Sequence, residues 1–264
     1  EIPFPIDGPD TVVDRILAAV TDRTRLVLVD HVTSPTGLVL PIGRIVSELS
    51  KRGIDTLVDG AHGPGMLPLN LGELGAAYYT GNCHKWMCAP KGAAFLHVRR
   101  DRQEGLHPVS ISHGWDVPRD DRPRLHLEFD WVGTVDPTAW LSVPAAIEFM
   151  ESVIEGGWPA VMQRNRETAL KARAMACDIL GIALPAPEGM VGSLASVPLP
   201  DGTHEATGSA LYVDPLQEVW LERFGVEVPI IPWPRAPKRL LRISAQVYNG
   251  WSDYERLAEA IRSL

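Results

Sequence analysis

The sequence predicts an α/β protein built on a mainly parallel sheet, and three observations lead there. Short continuous apolar runs of strand length recur through the first hundred residues, as in R-L-V-L-V-D at 25–30 and T-L-V-D at 56–59. The segments between them carry apolar residues at helical spacing. Two of the apolar runs also end on an aspartate before a loop, at Asp30 and Asp59. Strands that alternate with amphipathic helices imply βαβ units, whose crossovers make neighbouring strands parallel.

In chain order, residues 11–20 (T-V-V-D-R-I-L-A-A-V) form the first helical pattern and 25–30 the first strand. A run apolar throughout, rather than alternating, predicts a strand buried on both faces. Residues 41–52 make the next amphipathic helix, ending at Gly53; 56–59, 76–80 and 93–98 are the second to fourth strands. The polar, proline-dotted stretch 100–124 predicts a loop near the mouth of a site. Residues 144–155 and 161–180 are helical in pattern, broken by Gly156-Gly157, and 186–209 reads as loops with short strands. A helix at 213–224, a strand at 240–245 and a helix at 252–264 with Ser252 as N-cap complete the chain. The resulting division is residues 1–150 as part of a larger domain and 151–264 as a smaller α+β domain.

Composition excludes several function classes. With 264 residues, 45% hydrophobic and 22% charged, the chain is long enough for one large core or two smaller ones. A formal net charge of −8 offers no basic field for nucleic acid. No apolar run reaches the roughly 18 residues a membrane span needs, and the N-terminus E-I-P-F-P-I-D-G-P-D lacks the basic start and apolar core of a signal peptide. Three cysteines, Cys83, Cys88 and Cys177, are too few for a disulfide framework; their odd number argues for a reducing compartment, which predicts a cytoplasmic protein. No second Cys/His pair is spaced to complete a zinc site with Cys83 and Cys88, so no metal is expected.

Ligands of open α/β sheets sit beyond the carboxyl ends of the strands. Those ends carry Asp30-His31 with Thr33, Ser34 and Thr36, then Asp59-Gly60-Ala61-His62, then Asn82 with His84-Lys85. Lys85 stands out because the chain has five lysines (51, 85, 91, 171 and 238) and this one precedes Trp86, Met87 and Cys88. An ammonium in apolar surroundings is costly unless paired, neutral or covalently used. The plainer readings are a snorkelling Lys85, a turn residue at Asp59 and a satisfied loop histidine at His62. Against them stands the set: a lysine that forms a Schiff base must be reachable and partly desolvated. A pyridoxal phosphate site needs such a lysine, a carboxylate for the ring nitrogen and donors for the phosphate. Asp59, Lys85, Asn82 and His84 meet those needs.

The segments V-D-H-V-T-S-P-T-G-L-V-L-P-I (29–42), V-D-G-A-H-G-P-G (58–65) and T-G-N-C-H-K-W-M-C-A-P-K-G-A-A-F-L (80–96) resemble class V enzymes dependent on pyridoxal 5′-phosphate, of fold type I, and among these the isopenicillin N epimerase-like branch. The resemblance covers nearly the whole chain. It implies that Lys85 is the Schiff-base lysine, that Asp59 faces the ring nitrogen, and that His62 and Ser34 contact the phenolic edge of the cofactor. It places Asn82 and His84 at the phosphate. Gly133-Thr134 resembles the element that reaches the neighbouring subunit's phosphate site, implying a homodimer with shared sites, and Arg242 in L-R-I-S-A-Q-V-Y-N resembles the arginine that clamps a substrate carboxylate. A planar guanidinium suits that bidentate task. A simple turn at Gly133-Thr134 and an exposed strand arginine at Arg242 are the plainer readings.

Two departures qualify the match. The family's phosphate-binding helix and ring-stacking residue have no counterpart before residue 25, so the chain resembles the C-terminal part of a longer enzyme. An open sheet face or edge, and a 264-residue chain not competent alone, are then expected. The stretch 224–242 also lacks the catalytic cysteine of cysteine desulfurases. The expected function is chemistry at the α-carbon of an amino acid or amino-acid conjugate, with epimerisation first. C–S lysis or β-elimination is the alternative, and a catalytically inactive binding or scaffold fragment is the alternative of another kind.

Overall fold

Seven strands and nine helices are arranged in two layers in the computed structural model, which describes residues 1–202 and 214–264. The first layer is a four-stranded sheet of β1 (Leu26–Asp30), β2 (Asp55–Gly60), β3 (Tyr78–Asn82) and β4 (Ala94–Val98), in that spatial order. β1, β2 and β3 run parallel, and β4 turns back antiparallel to β3. Because sequential strands are neighbours and the crossovers are helical, the carboxyl ends of β1, β2 and β3 share one rim.

Helices α1 (Pro9–Ala18) and α2 (Ile42–Ser50) pack on one face of this sheet. Val12 and Val13 from α1 and Ile42, Ile45, Val46 and Leu49 from α2 lie against Val29, Val58 and Tyr79. Burying a Val, Leu or Ile side chain contributes about 1.5–3 kcal/mol each, which is what fixes the strand faces. A short helix α3 (Leu71–Leu74) is started by Asn70, whose side chain accepts from the Glu73 amide, and stopped by Gly75.

The other sheet face is open. Leu26 and Leu28 of β1 are 49% and 66% exposed, so this strand is not buried on both faces as its composition predicts. The reason is positional: β1 is an edge strand, and no described helix covers the face that these residues share with Leu96. The third strand also runs two residues later than the sequence pattern places it, Ala76 and Ala77 lying ahead of it.

Helices α4 (Arg124–Phe129), α5 (Thr138–Leu141) and α6 (Val143–Ser152) lead to the long α7 (Gly157–Leu180). The second layer is an antiparallel sheet of β5 (Leu194–Leu199), β7 (Arg239–Ser244) and β6 (Ile230–Pro232) in that spatial order, with β7 central. α7, α8 (Pro215–Phe224) and α9 (Trp251–Arg262) close a core around Trp220, Leu241, Ile243 and Ile261. β6 escapes the sequence pattern because only three residues pair, with Pro229 before them and Pro232 as the last. Ser252 is not the cap of the last helix: Gly250 is, and the Asp253 carboxylate three residues on accepts the Gly250 amide at 3.0 Å. A carboxylate one turn in reaches back to the free amide and also suits the positive helix end. Asp214 caps α8 at 2.9 Å to the Leu216 amide; Val213, where the sequence pattern starts this helix, lies outside the described residues.

Candidate active site

β2 ends by presenting Asp59, and the Ala61 amide donates to Asp59 Oδ1 at 2.9 Å, leaving the other carboxylate oxygen for a ligand. Three residues on from Asp59, His62 is 9% exposed and stands between two partners. The indole Nε1 of Trp86 donates to His62 Nδ1 at 3.2 Å, and His62 Nε2 lies 3.3 Å from the Nζ of Lys85. Lys85 comes from the loop after β3, which is closed by Cys88 N to Lys85 O at 3.2 Å and Ala89 N to Cys83 O at 3.1 Å. The two strand ends approach so closely because Gly65, at φ +80°, has no β-carbon. One there would sit 2.7–2.9 Å from the backbone of Trp86 and Met87.

Burial biases both the lysine and the histidine away from their charged forms. Burial holds the Lys85 pKa below its ordinary value, with Arg242 adding to the effect and Asp59 and Asp30 opposing it. Burial pushes His62 down to about 4, helped by Lys85 and Arg242 and opposed by Asp59. Asp30, paired in register with Asp59, is raised by burial and then by Asp59, with Lys85 pulling the other way. One acid, one base and one donor are thus gathered with their protonation biased in different directions, the usual mark of a reactive site.

The second layer supplies the opposite wall. Arg242 on β7 donates through Nη1 to the backbone oxygen and to the hydroxyl of Ser34, both at 2.9 Å. Its Nε is buried with no partner among the described residues. That leaves one guanidinium donor of Arg242 open to an acceptor from a ligand or water. The Ser196 hydroxyl donates to the Pro35 carbonyl at 2.8 Å, which pins the Ser34 turn to β5. Gln246 forms a further bridge: its Nε2 donates to the Trp86 carbonyl at 3.3 Å, and its Oε1 accepts from Asn165 of α7 at 2.8 Å.

Of the residues singled out in the sequence, Asp59, His62, Lys85, Ser34 and Arg242 are brought close together. Asn82 is half-buried at the end of β3 on the same rim. His84 turns its Nδ1 to the Ala93 carbonyl at 2.9 Å, so its remaining Nε2 is the atom available to a ligand. Thr134 is exposed in the turn after α4, away from the cluster, and Gly133 there has φ +135°. Sequence reasoning missed three parts of the site. Trp86 reads as an apolar neighbour of the lysine, yet its N–H is the partner of His62. Gln246 and Asn165 carry no motif. The His31–Tyr79 bond, 3.0 Å from Nδ1 to the hydroxyl, is hidden by the 48 residues between them.

These residues fit pyridoxal 5′-phosphate in the chemistry of their donor set: an amine biased away from its charged form, a carboxylate oxygen free for the ring nitrogen, and an imidazole in contact with the amine. Among the described residues, no cluster of three or more His, Cys, Asp or Glu side chains is placed for a metal, and no helix is long and apolar enough to cross a membrane.

The profile described as aminotransferase class-V matches residues 5–257. The chain is similar to isopenicillin N epimerase of Amycolatopsis lactamdurans, at 38% identity over 98% of this chain and 65% of that one. It is also similar to a probable chloroplastic L-cysteine desulfhydrase of Arabidopsis thaliana, at 35% identity over 100% of this chain and 57% of that one. The chain therefore spans about three-fifths of these relatives' length. Among solved structures, the apo cysteine desulfurase of Thermococcus onnurineus shares the fold at a TM-score of 0.73 and 19% identity, covering 96% of this chain and 62% of that one.

Proposed function

The chain belongs to the aminotransferase class-V family, whose members depend on pyridoxal 5′-phosphate, and from that premise we propose that it acts at the α-carbon of an amino acid or amino-acid conjugate, as an isopenicillin N epimerase-like enzyme. The single observation that carries this reading is the contact of Lys85 Nζ with His62 Nε2 beside Asp59. When bound, the cofactor supplies an aldehyde for the lysine and a protonated ring that takes up electrons released at the substrate's α-carbon.

In this reading Lys85 makes the covalent link and, once displaced by the substrate amine, is the base that removes the α-proton on its own face; inversion needs a second acid that returns a proton on the opposite face. Asp59 keeps a proton on the ring nitrogen through its free oxygen, while the Ala61 amide holds the other oxygen in place. His62 donates toward the phenolic edge, with Ser34 as the second contact there. Asn82 and His84 hold the phosphate from within the chain. Arg242 binds the substrate carboxylate, its Nε adding to the edge now engaged with Ser34.

We assign Thr134 to the phosphate site of a partner copy, in a homodimer with shared sites. Trp131, Val132 and Val135 beside it, and Trp140 and Leu141 on α5, are all exposed apolar side chains, which supports an interface there. Cys83, Cys88 and Cys177 are all free thiols, in keeping with a reducing compartment such as the cytoplasm. Division of the chain near residue 150 into a larger and a smaller domain is part of the same reading; α6 runs through that point to Ser152. A second reading, C–S lysis or β-elimination, is favoured by the desulfhydrase relative. Release of sulfide and a keto acid from cysteine, against inversion at the α-carbon without loss of a group, separates the two.

Borohydride reduction of the full-length protein with cofactor, followed by peptide mapping, is the direct test. The pyridoxyl group is expected on Lys85. Finding it on Lys91, or on no lysine of this chain, overturns the assignment.

A further inference from the structure

We propose that Trp86 is a positioning residue: by donating its indole N–H to His62 Nδ1 it fixes the histidine proton on Nε2 and so makes His62 a donor toward the Lys85 amine. The consequence for catalysis rests on Lys85 being the cofactor lysine. The tautomer itself does not.

The inference follows from what each atom is able to do. An indole Nε1 donates and never accepts. At 3.2 Å from His62 Nδ1 it therefore needs a lone pair on that nitrogen. A neutral imidazole carries one N–H and one lone pair, so the proton must sit on Nε2. Nε2 is 3.3 Å from Lys85 Nζ. An ammonium has three N–H bonds and no lone pair, so only the uncharged amine accepts there. A charged Lys85 would have to take the lone pair on Nε2, which moves the histidine proton to Nδ1 and sets it against the indole N–H. Trp86 is 7% exposed, and a donor orphaned in such a place is expensive.

The charged groups that face the pair are few. Lys85 is faced by Asp59, Asp30 and Arg242, and His62 by Lys85, Arg242 and Asp59. Burial first and Arg242 with it disfavour an ammonium, while the two aspartates favour one; the hydrogen bond from Trp86 adds its weight against the ammonium. Trp86 has little freedom to give way. Its ring lies among Val32, Met66 and Leu194, and its carbonyl accepts from Gln246. Gln246 lies four residues beyond Arg242, so the residue that sets the tautomer is tied to the stretch that follows the proposed carboxylate clamp.

Nitrogen-15 NMR of the full-length protein, labelled at histidine and stripped of cofactor, reads the tautomer directly, with His62 assigned by the signal lost in His62→Gln. The expected result is a protonated, pyrrole-type Nε2 and a pyridine-type Nδ1 at neutral pH. Trp86→Phe keeps an aromatic side chain and removes the donor. It should release the tautomer preference and slow acetylation of Lys85 by acetic anhydride at neutral pH by roughly tenfold, with recovery at higher pH. A purely structural role would leave that pH profile in place. A proton on Nδ1 in the native protein, or an unchanged profile in a folded Trp86→Phe, overturns the proposal; if the variant does not fold, the native spectrum decides alone. Should borohydride mapping miss Lys85 while the tautomer is as stated, the cofactor reading falls and the positioning role stands.

Discussion

Acid should unfold this protein earlier than its carboxylates alone require, because two histidines are held neutral in the folded state. His31 donates its backbone amide to the Asp59 carbonyl at 2.8 Å and sets its ring against the buried Tyr79 hydroxyl. Burial lowers His31 to about 4, and His62 falls to about 4 for the reasons given above. In the unfolded chain each has the ordinary value near 6.5. Between about pH 6.5 and pH 4 the unfolded state thus binds protons that the native state refuses, and stability rises with pH across that window. It is fully present above 6.5 and lost as pH falls through 4. At full burial such a drop in pKa corresponds to about 3 kcal/mol per histidine, and halving this for their partial contact with solvent leaves about 3 kcal/mol for the pair. That is a large share of the 5–15 kcal/mol by which domains are usually stable. Asp30 works the other way, since its raised pKa favours the folded state in acid, but a single half-buried carboxyl does not cancel two histidines. Urea midpoints of the cofactor-free protein at pH 7, 6, 5 and 4.5, with the denaturant slope held in common, measure the effect. A doubly substituted protein, His31→Asn with His62→Gln, should show a lower but flatter profile. A native midpoint that stays constant from pH 7 to 4.5, or an undiminished slope in the double variant, would refute the reasoning.

Two further outcomes test the geometry behind the site. Gly60→Ala places a β-carbon inside the Tyr79 ring, which is fully buried, so it should cost about 1–3 kcal/mol in thermal unfolding and break the His31–Tyr79 bond; an unchanged melting temperature would mean the ring has room that the structure denies it. Asp59→Asn preserves an oxygen for the Ala61 amide but removes the charge, so cofactor uptake should persist while turnover falls by roughly a hundredfold, the scale of one lost charge-stabilising contact. Steady-state rates equal to the native enzyme would exclude its role at the ring nitrogen.

How much of this was legible in the sequence depends on whether the deciding physics was local. The strands β1, β2 and β4 and the helix α2 announce themselves because their apolar spacing lies within one short segment. Asp59, His62 and Lys85 were legible together because a parallel sheet sends successive strand ends to one rim, so order along the chain becomes proximity in space. Exposure of Leu26 and Leu28 was not legible in their own run, which states that a residue is able to be buried and says nothing of what covers it; only the family resemblance implied an open sheet face or edge. The cap at Gly250 was missed for a related reason: glycine offers no side chain to read, and the bond that matters comes from Asp253.

Trp86 shows the boundary most clearly. Its side chain has an apolar body and a single polar atom, and in sequence the body dominates, which makes Trp86-Met87-Cys88 read as packing around a lysine. What the nitrogen does depends on His62, 24 residues earlier on another strand end, while the carbonyl of the same residue is held by Gln246, 160 residues later in the second layer. No periodicity or motif carries that information, because a donor's meaning is set by the acceptor it meets. The lysine was visible from its neighbours in the chain. The groups that bias its amine away from the charged form were visible only from its neighbours in space.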